Sequence, residues 1–408
     1  MSSKVKKIAV FTGNRAEYGL QYPILKAIKD HPLLDYKLII SGAHLDENFG
    51  STIEEINNDG FEIHAEAKIE MDADSIQSNV QAIGSGILSI GRILGDLKPD
   101  LMIVYADRFE GLAAVIASSQ MNIPTAHIEG GDITEGGALD DSVRHAMSKL
   151  SHIHFTTNEQ ATNRILAMGE EKWRVHTVGF PAIDLIKENN YATEKELVKK
   201  LGLSMIKPVV IFTQHSVTTE SNESSSQVSY SIKALKKLAK EGVQIIVTYP
   251  NNDSGAKQII KNIKHLQDQK IENIQVHKSL GRYIYHGLLA LSRNNKNRIA
   301  CVGNSSSGIK ETPIFGCPTV NIGSRQSGRL RGQNVLDSDY DSNTIYEAIT
   351  KCLFDDDFRK NCTETDNPYY IGDAGTKIAK ILANLSINKE LLRKKMTLLG
   401  EIKNGWYR

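Results

Sequence analysis

The sequence has few of the features that mark secreted, membrane-bound or nucleic-acid-binding chains. It has only four cysteines in 408 residues, and no two of them form a C-x-x-C pair. No apolar run reaches the ~20 residues that a membrane helix needs, and the basic N-terminus leads straight into a strand-like run, unlike a signal peptide. The formal net charge of +1 argues against a nucleic-acid partner, which normally requires a basic excess. We therefore expect a reduced, cytoplasmic protein that binds neither nucleic acid nor membrane.

The apolar residues, 40% of the chain, fall into short runs separated by helical patterns. Buried apolar strands that alternate with helices are typical of a parallel sheet covered on both faces. In the first half the predicted strands are 7–13, 36–42, 61–67, 100–106, 124–129 and 152–157. In the second half they are 208–214, 243–249, 273–277, 298–303 and 319–323.

The pattern predicts two doubly wound, Rossmann-like α/β domains that face a cleft. The first spans 1–180 and carries the candidate acids, and the second spans 181–376. The helical region 377–404 is expected to cross back, so that 377–408 packs on the first domain, and the Ser-rich run 218–227 is predicted to be a mobile loop. Ligands of open α/β sheets bind beyond the carboxyl ends of the strands, so functional side chains are expected there.

The first and fourth predicted strands end in charged motifs. The run T-G-N-R-A-E at 12–17 places a glycine turn, a helix start and Arg15 together, a combination that suits a phosphate, although an ordinary strand-to-helix turn would look the same. There is no G-x-G-x-x-G, so a nicotinamide dinucleotide site is not supported. Asp107 and Arg108 follow the fourth strand. The alternative role for Asp107 is that of a helix N-cap.

The fifth predicted strand ends in H-I-E-G-G-D, residues 127–132. Strand alternation would place His127 and Glu129 on one side, and the two glycines are expected to let a substrate approach the backbone. On the next strand, His152 and His154 are interpreted as hydrogen-bonded structural histidines rather than as a site.

The next predicted helix opens with Asp140 and Asp141. Helix capping is one role for this pair, and Asp140 shares a helix face with Arg144. Together, Asp107, Glu129 and Asp140 place three carboxylates at consecutive strand ends, which adds little stability but suits acid–base chemistry. Metal-binding motifs such as H-E-x-x-H are absent from the sequence, so no metal is expected.

In the second half, G-N-S-S-S-G-I-K-E (303–311) follows a strand and opens a helix. The N–H groups around Ser305 and Ser306 would form a phosphate cradle, and Glu311, one turn later, would accept hydrogen bonds from a ribose diol. His215 ends another strand, and Arg325 adds a cation near the same face. A plain Ser-rich loop is the alternative interpretation.

At these residues the chain resembles the hydrolysing UDP-N-acetylglucosamine 2-epimerases of bacterial sialic-acid pathways and the epimerase part of the animal bifunctional enzyme. The motifs that carry the resemblance, across about residues 4–380, are GNRAEYG, YADRFE, HIEGGD, DDSVRHAMSKLSHIHF, VGFPAID, QH, YPNND, GNSSSGIKE and NIGSRQSGR. The resemblance implies a two-domain fold of the glycosyltransferase-B type.

The resemblance also implies roles for individual residues. Asp107, Glu129 and Asp140 match the essential acids, with Asp141 beside them. The implied nucleotide contacts are Arg15, Arg108, His215, Asn251, His277, Ser305, Ser306 and Glu311, to which Arg325 is added as a substrate-binding cation. His215 is also counted as catalytic, because a positive group offsets charge on a departing diphosphate.

The implied reaction is elimination of UDP from a UDP-2-acetamido sugar, followed by hydration of a 2-acetamidoglucal to give N-acetylmannosamine. No cofactor is expected, and the protein is expected to form a homodimer or homotetramer. Two alternatives keep the fold: the same chemistry on UDP-2,4-diacetamido-2,4,6-trideoxyglucose, as in a legionaminic-type pathway, or a non-hydrolysing 2-epimerase. A glycosyltransferase or a nucleotide-sugar binding module is the alternative from another class.

Overall fold

The computed structural model describes residues 5–45, 52–69, 76–134, 139–251 and 255–398. The chain divides into two compact units. Unit 1 comprises Met1–Ile133, Leu139–Asp184 and Tyr369–Arg408, and unit 2 comprises Thr134–Ala138 and Leu185–Pro368.

Unit 1 is built on a parallel sheet of seven strands. They are β1 (Lys6–Thr12), β2 (Leu34–Ser41), β3 (Ile63–Ala67), β4 (Leu101–Tyr105), β5 (Thr125–Ile128), β6 (Ile153–Thr156) and β7 (Val175–Thr177). The order is β3-β2-β1-β4-β5-β6-β7, so the strand order reverses between β1 and β4. Open sheets bind ligands at such a reversal. The sequence indicated only that a strand ends near Val178, because the three residues of β7 are too few to show a pattern of their own.

Unit 2 contains a parallel sheet of six strands. They are β8 (Val209–Thr213), β9 (Gln244–Thr248), β10 (Ile274–His277), β11 (Ile299–Gly303), β12 (Thr319–Ile322) and β13 (Val335–Ser338). The order is β10-β9-β8-β11-β12-β13, and the reversal lies between β8 and β11. The edge strand β13 was not predicted, because its half-buried residues V-L-D-S lack the apolar run of the central strands.

Helices cover both sheets. They are α1 (Arg15–Lys29), α2 (Thr52–Asn58), α3 (Ile76–Leu97), α4 (Phe109–Gln120), α5 (Leu139–Leu150), α6 (Glu159–Ala167), α7 (Ala182–Lys187), α8 (Glu194–Leu201), α9 (Ser224–Lys240), α10 (Ala256–Asp268), α11 (Gly281–Ala290), α12 (Ser307–Lys310), α13 (Thr312–Phe315), α14 (Ser342–Phe354), α15 (Asp356–Thr363), α16 (Ala374–Asn384) and α17 (Lys389–Leu392). Short 3₁₀ helices occur at Gly42–Leu45, Lys172–Arg174, Thr218–Glu223 and Leu291–Arg293. No helix in the described part of the chain is both long and apolar enough to cross a membrane.

The side chains of β1 show why the strands are apolar throughout. Ile8 and Val10 join one buried cluster, whereas Ala9 and Phe11 join the cluster on the opposite face. Both faces of the strand are therefore covered, which removes the polar alternation of a half-exposed strand. The predicted fold class, with two doubly wound α/β halves, is confirmed.

The C-terminal region packs on unit 1, as the predicted return of the chain requires. Ile378 and Leu382 of α16 belong to the core of unit 1, and a Cβ added at Gly375 would lie 2.5 Å from the backbone oxygen of Pro23 in α1. The prediction of one helical region over 377–404 is wrong, however. The helix ends at Asn384, and α17 starts only after Asn388, whose side chain caps it. Residues beyond 398 lie outside the described ranges.

The predicted loop 218–227 is also different in the structure. A 3₁₀ turn covers Thr218–Glu223, and α9 begins directly at Ser224. Gln227 donates to the Glu220 carboxylate (2.6 Å), and Ser224 is fully buried. Polar contacts inside the fold therefore order this segment, although its composition is that of a loop.

Candidate active site

The ends of β4 and β5 carry the central acids of unit 1 on unusual backbone. Ala106 (φ 54°) and Glu129 (φ 65°) both adopt the left-handed conformation, which non-glycine residues rarely do. The Ala106 N–H donates to the Ile128 oxygen (3.0 Å), so the two strand ends lie side by side. Strain of this kind concentrates at functional sites, because the surroundings must impose it.

An arginine holds Asp107 in place. Arg144 on α5, with 1% of its side chain exposed, donates to the Asp107 carboxylate and lies 3.5 Å from Asp141 Oδ1. The N-cap residue of α4 is Arg108, and no side chain caps that helix. The capping role considered for Asp107 is therefore wrong, and its carboxylate is part of an Asp107–Arg144–Asp141 cluster.

Two further acids lie near this cluster. Asp140 is on the same helix as Asp141, and Glu129 follows the strand next to the one that Asp107 follows. Asp140 and Asp141 stand in the first turn of α5, where the helix dipole favours negative charge. Asp141 and Glu129 are buried, and Asp140 is half-buried. Since β4 and β5 are neighbours, about 4.8 Å apart, the carboxyl-bearing segments that follow them start from one edge of the sheet.

His127 and the two glycines differ from expectation. His127 is fully buried, burial lowers its pKa to about 3, and its Nε2 lies 2.7 Å from the Ala106 oxygen. A Cβ at Gly130 would lie 2.8 Å from Ser148 Oγ, and one at Gly131 only 2.3 Å from the Ala161 oxygen. These glycines allow close packing of α5 and α6 rather than substrate approach. Because Glu129 is left-handed, strand alternation does not extend to it.

The structural interpretation of the two histidines on β6 is confirmed. His152 Nδ1 accepts a hydrogen bond from the Thr125 N–H (3.1 Å), and His154 Nε2 lies 3.1 Å from Glu170 Oε2. Both rings are buried, and burial lowers the pKa of each.

Next to the loop after β1, Glu17 of α1 and Glu110 of α4 form a carboxyl pair that the sequence analysis missed. The Gly13 N–H donates to Glu17 Oε2 (2.8 Å). Burial, and then the charge of nearby Glu110, raise the pKa of Glu17 to about 8. Glu110 in turn lies 3.5 Å from Arg108 Nε. The partner of Glu17 comes from another strand end, so sequence spacing gave no signal. The side chain of Arg15 lies outside the described part.

In unit 2, the strands at the reversal point meet through Asn304 and His215. The His215 N–H donates to Asn304 Oδ1 (2.6 Å), and Asn304 Nδ2 donates back to the His215 oxygen (2.9 Å). The Asn251 N–H donates to His215 Nδ1 (3.0 Å). Asn251 Oδ1 lies 3.1 Å from the same ring nitrogen, so Asn251 contacts His215 through both its backbone and its side chain.

Asn304 is a second residue that the sequence analysis left without a role, although it stands in the G-N-S-S-S-G motif. Its side chain is buried, and its backbone oxygen accepts from Arg325 Nη1 (3.2 Å) and Gln326 Nε2 (2.9 Å). Asn304 therefore ties the loops after β8, β11 and β12 together.

Gly303 makes the turn into the serine loop possible. Its φ of 130° is open only to glycine, and an added Cβ would lie 1.8 Å from the Thr213 oxygen. Ser305 and Ser306 follow half-buried, and α12 starts at Ser307 but is only four residues long. The strand-loop-helix frame predicted for this motif is present, with a shorter helix than a phosphate cradle usually has.

Glu311 lies between α12 and α13 and is held by a histidine. His286 Nε2 lies 2.8 Å from Glu311 Oε2, and both residues are buried. Burial opposes ionisation of Glu311, but hydrogen bonds from His286 and Ser307 outweigh it, so the pKa of Glu311 lies below its ordinary value.

The structure does not bring His277 to this cluster. It ends β10, which is the edge strand and is separated from β11 by β9 and β8. Its ring is half-buried, and Nε2 lies 3.4 Å from Gln275 Oε1. Any ligand that touches both His277 and the serine loop must therefore extend across about three strand spacings, or ~14 Å.

The four cysteines are buried and unbridged. Within the described ranges, no group of three His, Cys, Asp or Glu side chains is arranged to hold a metal ion.

The two sheets, each with polar groups at its reversal point, define a class: two-unit α/β proteins of the glycosyltransferase-B type. Within that class, the chain belongs to the UDP-N-acetylglucosamine 2-epimerase family, whose sequence profile matches residues 26–383. It is therefore an enzyme of the UDP-sugar 2-epimerase family.

Three relatives illustrate the similarity. The UDP-N-acetylglucosamine 2-epimerase of Neisseria meningitidis serogroup B is 32% identical over 386 residues, covering 93% of this chain and 96% of that protein. A hydrolysing GDP/UDP-N,N'-diacetylbacillosamine 2-epimerase of Campylobacter jejuni is 33% identical over 356 residues, covering 87% and 89%. The crystal structure of the N. meningitidis UDP-GlcNAc 2-epimerase bound to UDP-GlcNAc matches the fold with a TM-score of 0.77, at 19% identity, and covers 92% of this chain and 99% of that one.

Proposed function

We propose that the protein is a hydrolysing UDP-N-acetylglucosamine 2-epimerase that yields UDP and N-acetylmannosamine for sialic-acid-type sugar biosynthesis. The observation that carries the proposal is the Asp107–Arg144–Asp141 cluster beside the strained Glu129 at one sheet edge. Several carboxylates at one edge, with one arginine between two of them, are what proton transfer on two faces of a sugar requires.

In the first step, a carboxylate of unit 1 removes the C2 proton while the C1–O bond to UDP breaks. The C2 proton is weakly acidic, so its removal must be coupled to departure of the diphosphate. Water then adds to C1 of the 2-acetamidoglucal, and a second carboxylate protonates C2 on the opposite face. Asp107, Glu129 and Asp140 are the proposed acid–base groups, and Asp141 supports them through Arg144.

Unit 2 is proposed to hold UDP. The His215 imidazole and the N–H groups around Ser305 and Ser306 offset charge on the diphosphate, and Arg325 and Arg108 add positive charge. Glu311 accepts hydrogen bonds from the ribose hydroxyls. Asn251 orients His215, and His277, on the edge strand, contacts the nucleotide at the greatest distance from the serine loop. Arg15 is proposed as a further phosphate contact.

The same chemistry on UDP-2,4-diacetamido-2,4,6-trideoxyglucose is the second candidate, because the C. jejuni relative of similar identity is a hydrolysing diacetylbacillosamine 2-epimerase. Turnover of the two UDP-sugars by the same preparation separates these candidates. We expect a higher kcat/KM for UDP-N-acetylglucosamine, and the opposite order would reassign the substrate.

Proton NMR of the reaction in D₂O tests the mechanism. We expect free UDP and N-acetylmannosamine that carries deuterium at C2, since the proton removed and the proton returned come from different groups that exchange with water. Labelled water should place ¹⁸O at C1. A UDP-linked product would indicate a non-hydrolysing epimerase, and UDP release that rises with an added sugar acceptor would indicate a glycosyltransferase.

A further inference from the structure

We propose that His286 is a positioning residue that fixes the Glu311 carboxylate, in its ionised form, to receive the ribose diol of the nucleotide. The inference rests on the proposed function, in which unit 2 binds UDP. It adds a residue that belongs to none of the motifs from which the site was predicted.

The geometry of the pair is that of a directed hydrogen bond. His286 lies on α11 with 3% of its surface exposed, Glu311 is 8% exposed, and Nε2 and Oε2 are 2.8 Å apart. A carboxylate only accepts, so Nε2 must carry the hydrogen. The buried Nδ1 atom has no hydrogen-bond partner among the described residues. A neutral ring with its hydrogen on Nε2 satisfies this arrangement.

The environment holds the imidazole ring in one orientation. The Phe315 ring lies 5.8 Å from the imidazole at an angle of 51°, and the Tyr285 ring lies 6.1 Å away. The Tyr285 hydroxyl also lies 2.9 Å from Ser307 Oγ in α12. The His286 ring thus packs against Phe315 of α13, and its neighbour Tyr285 contacts α12, so both short helices that flank Glu311 restrict the direction of its Nε2–H.

Glu311 needs the hydrogen bond from His286 because its carboxylate is buried. A buried carboxylate has lost its hydration and would favour the protonated form, but a protonated carboxyl has less acceptor capacity for two hydroxyls. The bonds from His286 and Ser307 keep the pKa of Glu311 below its ordinary value. A carboxylate offers about four lone-pair sites, so these bonds leave acceptor positions for a diol.

Nucleotide binding distinguishes this role from a purely structural one. We would measure calorimetric affinities of the full chain for UDP and for 2′,3′-dideoxy-UDP, together with Tm. The wild-type protein should prefer UDP. His286→Leu should lower UDP affinity about tenfold while dideoxy-UDP affinity stays within about twofold, so that the preference largely disappears.

Matched variants control for packing. His286→Gln retains a donor of similar reach and should keep most of the preference, whereas His286→Asn, whose amide is too short to reach Glu311, should lose it. These two variants carry the test if His286→Leu does not fold. Tyr283→Phe removes a hydrogen bond from the same helix to Glu196 and should change neither affinity.

A double-substitution cycle completes the test. After Glu311→Gln, adding His286→Leu should cost little further UDP affinity. If His286→Leu lowers Tm but leaves the UDP preference intact, the pair is only structural and the proposal fails. If Glu311→Gln itself leaves UDP binding unchanged, the proposed nucleotide site is wrong, and the role of His286 fails with it.

Discussion

Single side chains at the strand ends differ in their surroundings. Arg144 neutralises part of the charge on Asp107 and Asp141, so two acids can be buried close together. The Glu129 N–H donates to the Phe155 oxygen of β6 (2.9 Å), and its left-handed backbone turns the chain away from the strand path at this point. The acids therefore have different surroundings, which is how one site separates the roles of acid and base.

At this scale the first prediction concerns the three proposed acid–base groups. Asp107→Asn, Glu129→Gln and Asp140→Asn should each reduce turnover by ~10²–10⁴, the usual contribution of one acid–base group. UDP affinity should change far less, because most of the proposed nucleotide contacts lie in unit 2. Steady-state kinetics and UDP calorimetry check both, with the exposed Glu62→Gln as control. Near-wild-type turnover in any one variant removes that residue from the mechanism.

A second residue-scale prediction concerns Glu17. Its folded pKa of about 8 lies above the ordinary 4.5, so the folded state holds a proton that the unfolded state releases. The stability that this proton contributes is complete below about pH 4.5 and is lost as the pH rises through about 8.

Glu17→Gln keeps an acceptor for the Gly13 N–H but cannot ionise. The free energy of unfolding of this variant should exceed that of the wild type at pH 8 by at least ~1 kcal/mol, roughly one pKa unit, and the difference should shrink toward pH 5. Urea unfolding at several pH values measures it. An equal difference at pH 5 and pH 8 would mean that Glu17 does not titrate in the fold.

At the scale of elements, the connection of β11 to α12 depends on one glycine. Gly303 has both a φ that side chains rarely adopt and a carbonyl in the place of its Cβ. To relieve either the backbone strain or the clash, β11 would have to move away from β8, so both constraints act on the same pair of strands.

Gly303→Ala should therefore destabilise the protein by more than ~3 kcal/mol and abolish UDP binding. Gly202→Ala is a matched control: its φ is 63°, but nothing lies within 4 Å of the added Cβ, so the cost should be only about 1 kcal/mol. Thermal unfolding and UDP calorimetry provide the comparison. Similar losses of stability in both variants would show that the backbone strain alone, and not the clash with the Thr213 oxygen, causes the destabilisation.

The elements also show how far sequence reasoning extends. The central strands and the acids that follow them were predictable, because a run such as L-M-I-V-Y is long, wholly apolar and ends in Asp107 and Arg108. The edge strands β3 and β10 were also predicted, but β7 and β13 were not given bounds, because V-H-T and V-L-D-S are short and lack an apolar run. Gly130, Glu17 and His286 depend on partners that lie far away in the sequence, and no local pattern records those partners. The roles of the proposed acids stay predictions.

At the scale of the whole molecule, a buried ionic cluster fastens the end of the described chain to unit 1. Glu170, 1% exposed, binds Lys149 (2.7 Å), His154 (3.1 Å) and Lys394 (2.9 Å). Arg174 adds hydrogen bonds to the backbone oxygens of Leu391 (2.7 Å) and Glu390 (2.9 Å).

Glu170→Gln should destabilise the protein by about 3 kcal/mol at pH 7, because Lys394 would be left buried without its counter-charge. Burial opposes ionisation of Glu170, but His154 and the lysines outweigh it and lower its pKa to about 2. Its contribution is thus present above pH 4.5 and lost as the pH falls toward 2.

Unfolding curves at pH 7 and pH 3 check this prediction, and the deficit of the variant should be smaller at pH 3. Hydrogen exchange should rise in residues 389–398 before it rises in β1. Lys389→Ala, at the exposed start of α17, is the control and should change little. A variant with unchanged exchange in this segment would show that the ionic cluster does not hold it.

The division of the chain has a consequence for synthesis on the ribosome. Unit 2 draws almost all of its residues from one continuous stretch, Leu185–Pro368, whereas unit 1 also needs the segment that begins at Tyr369. The nascent chain therefore exposes all six strands of unit 2 before α16 can cover α1. The first strands to emerge belong to unit 1, but unit 2 can complete its fold first. Until α16 emerges, part of the core of unit 1 stays uncovered and accessible to chaperones.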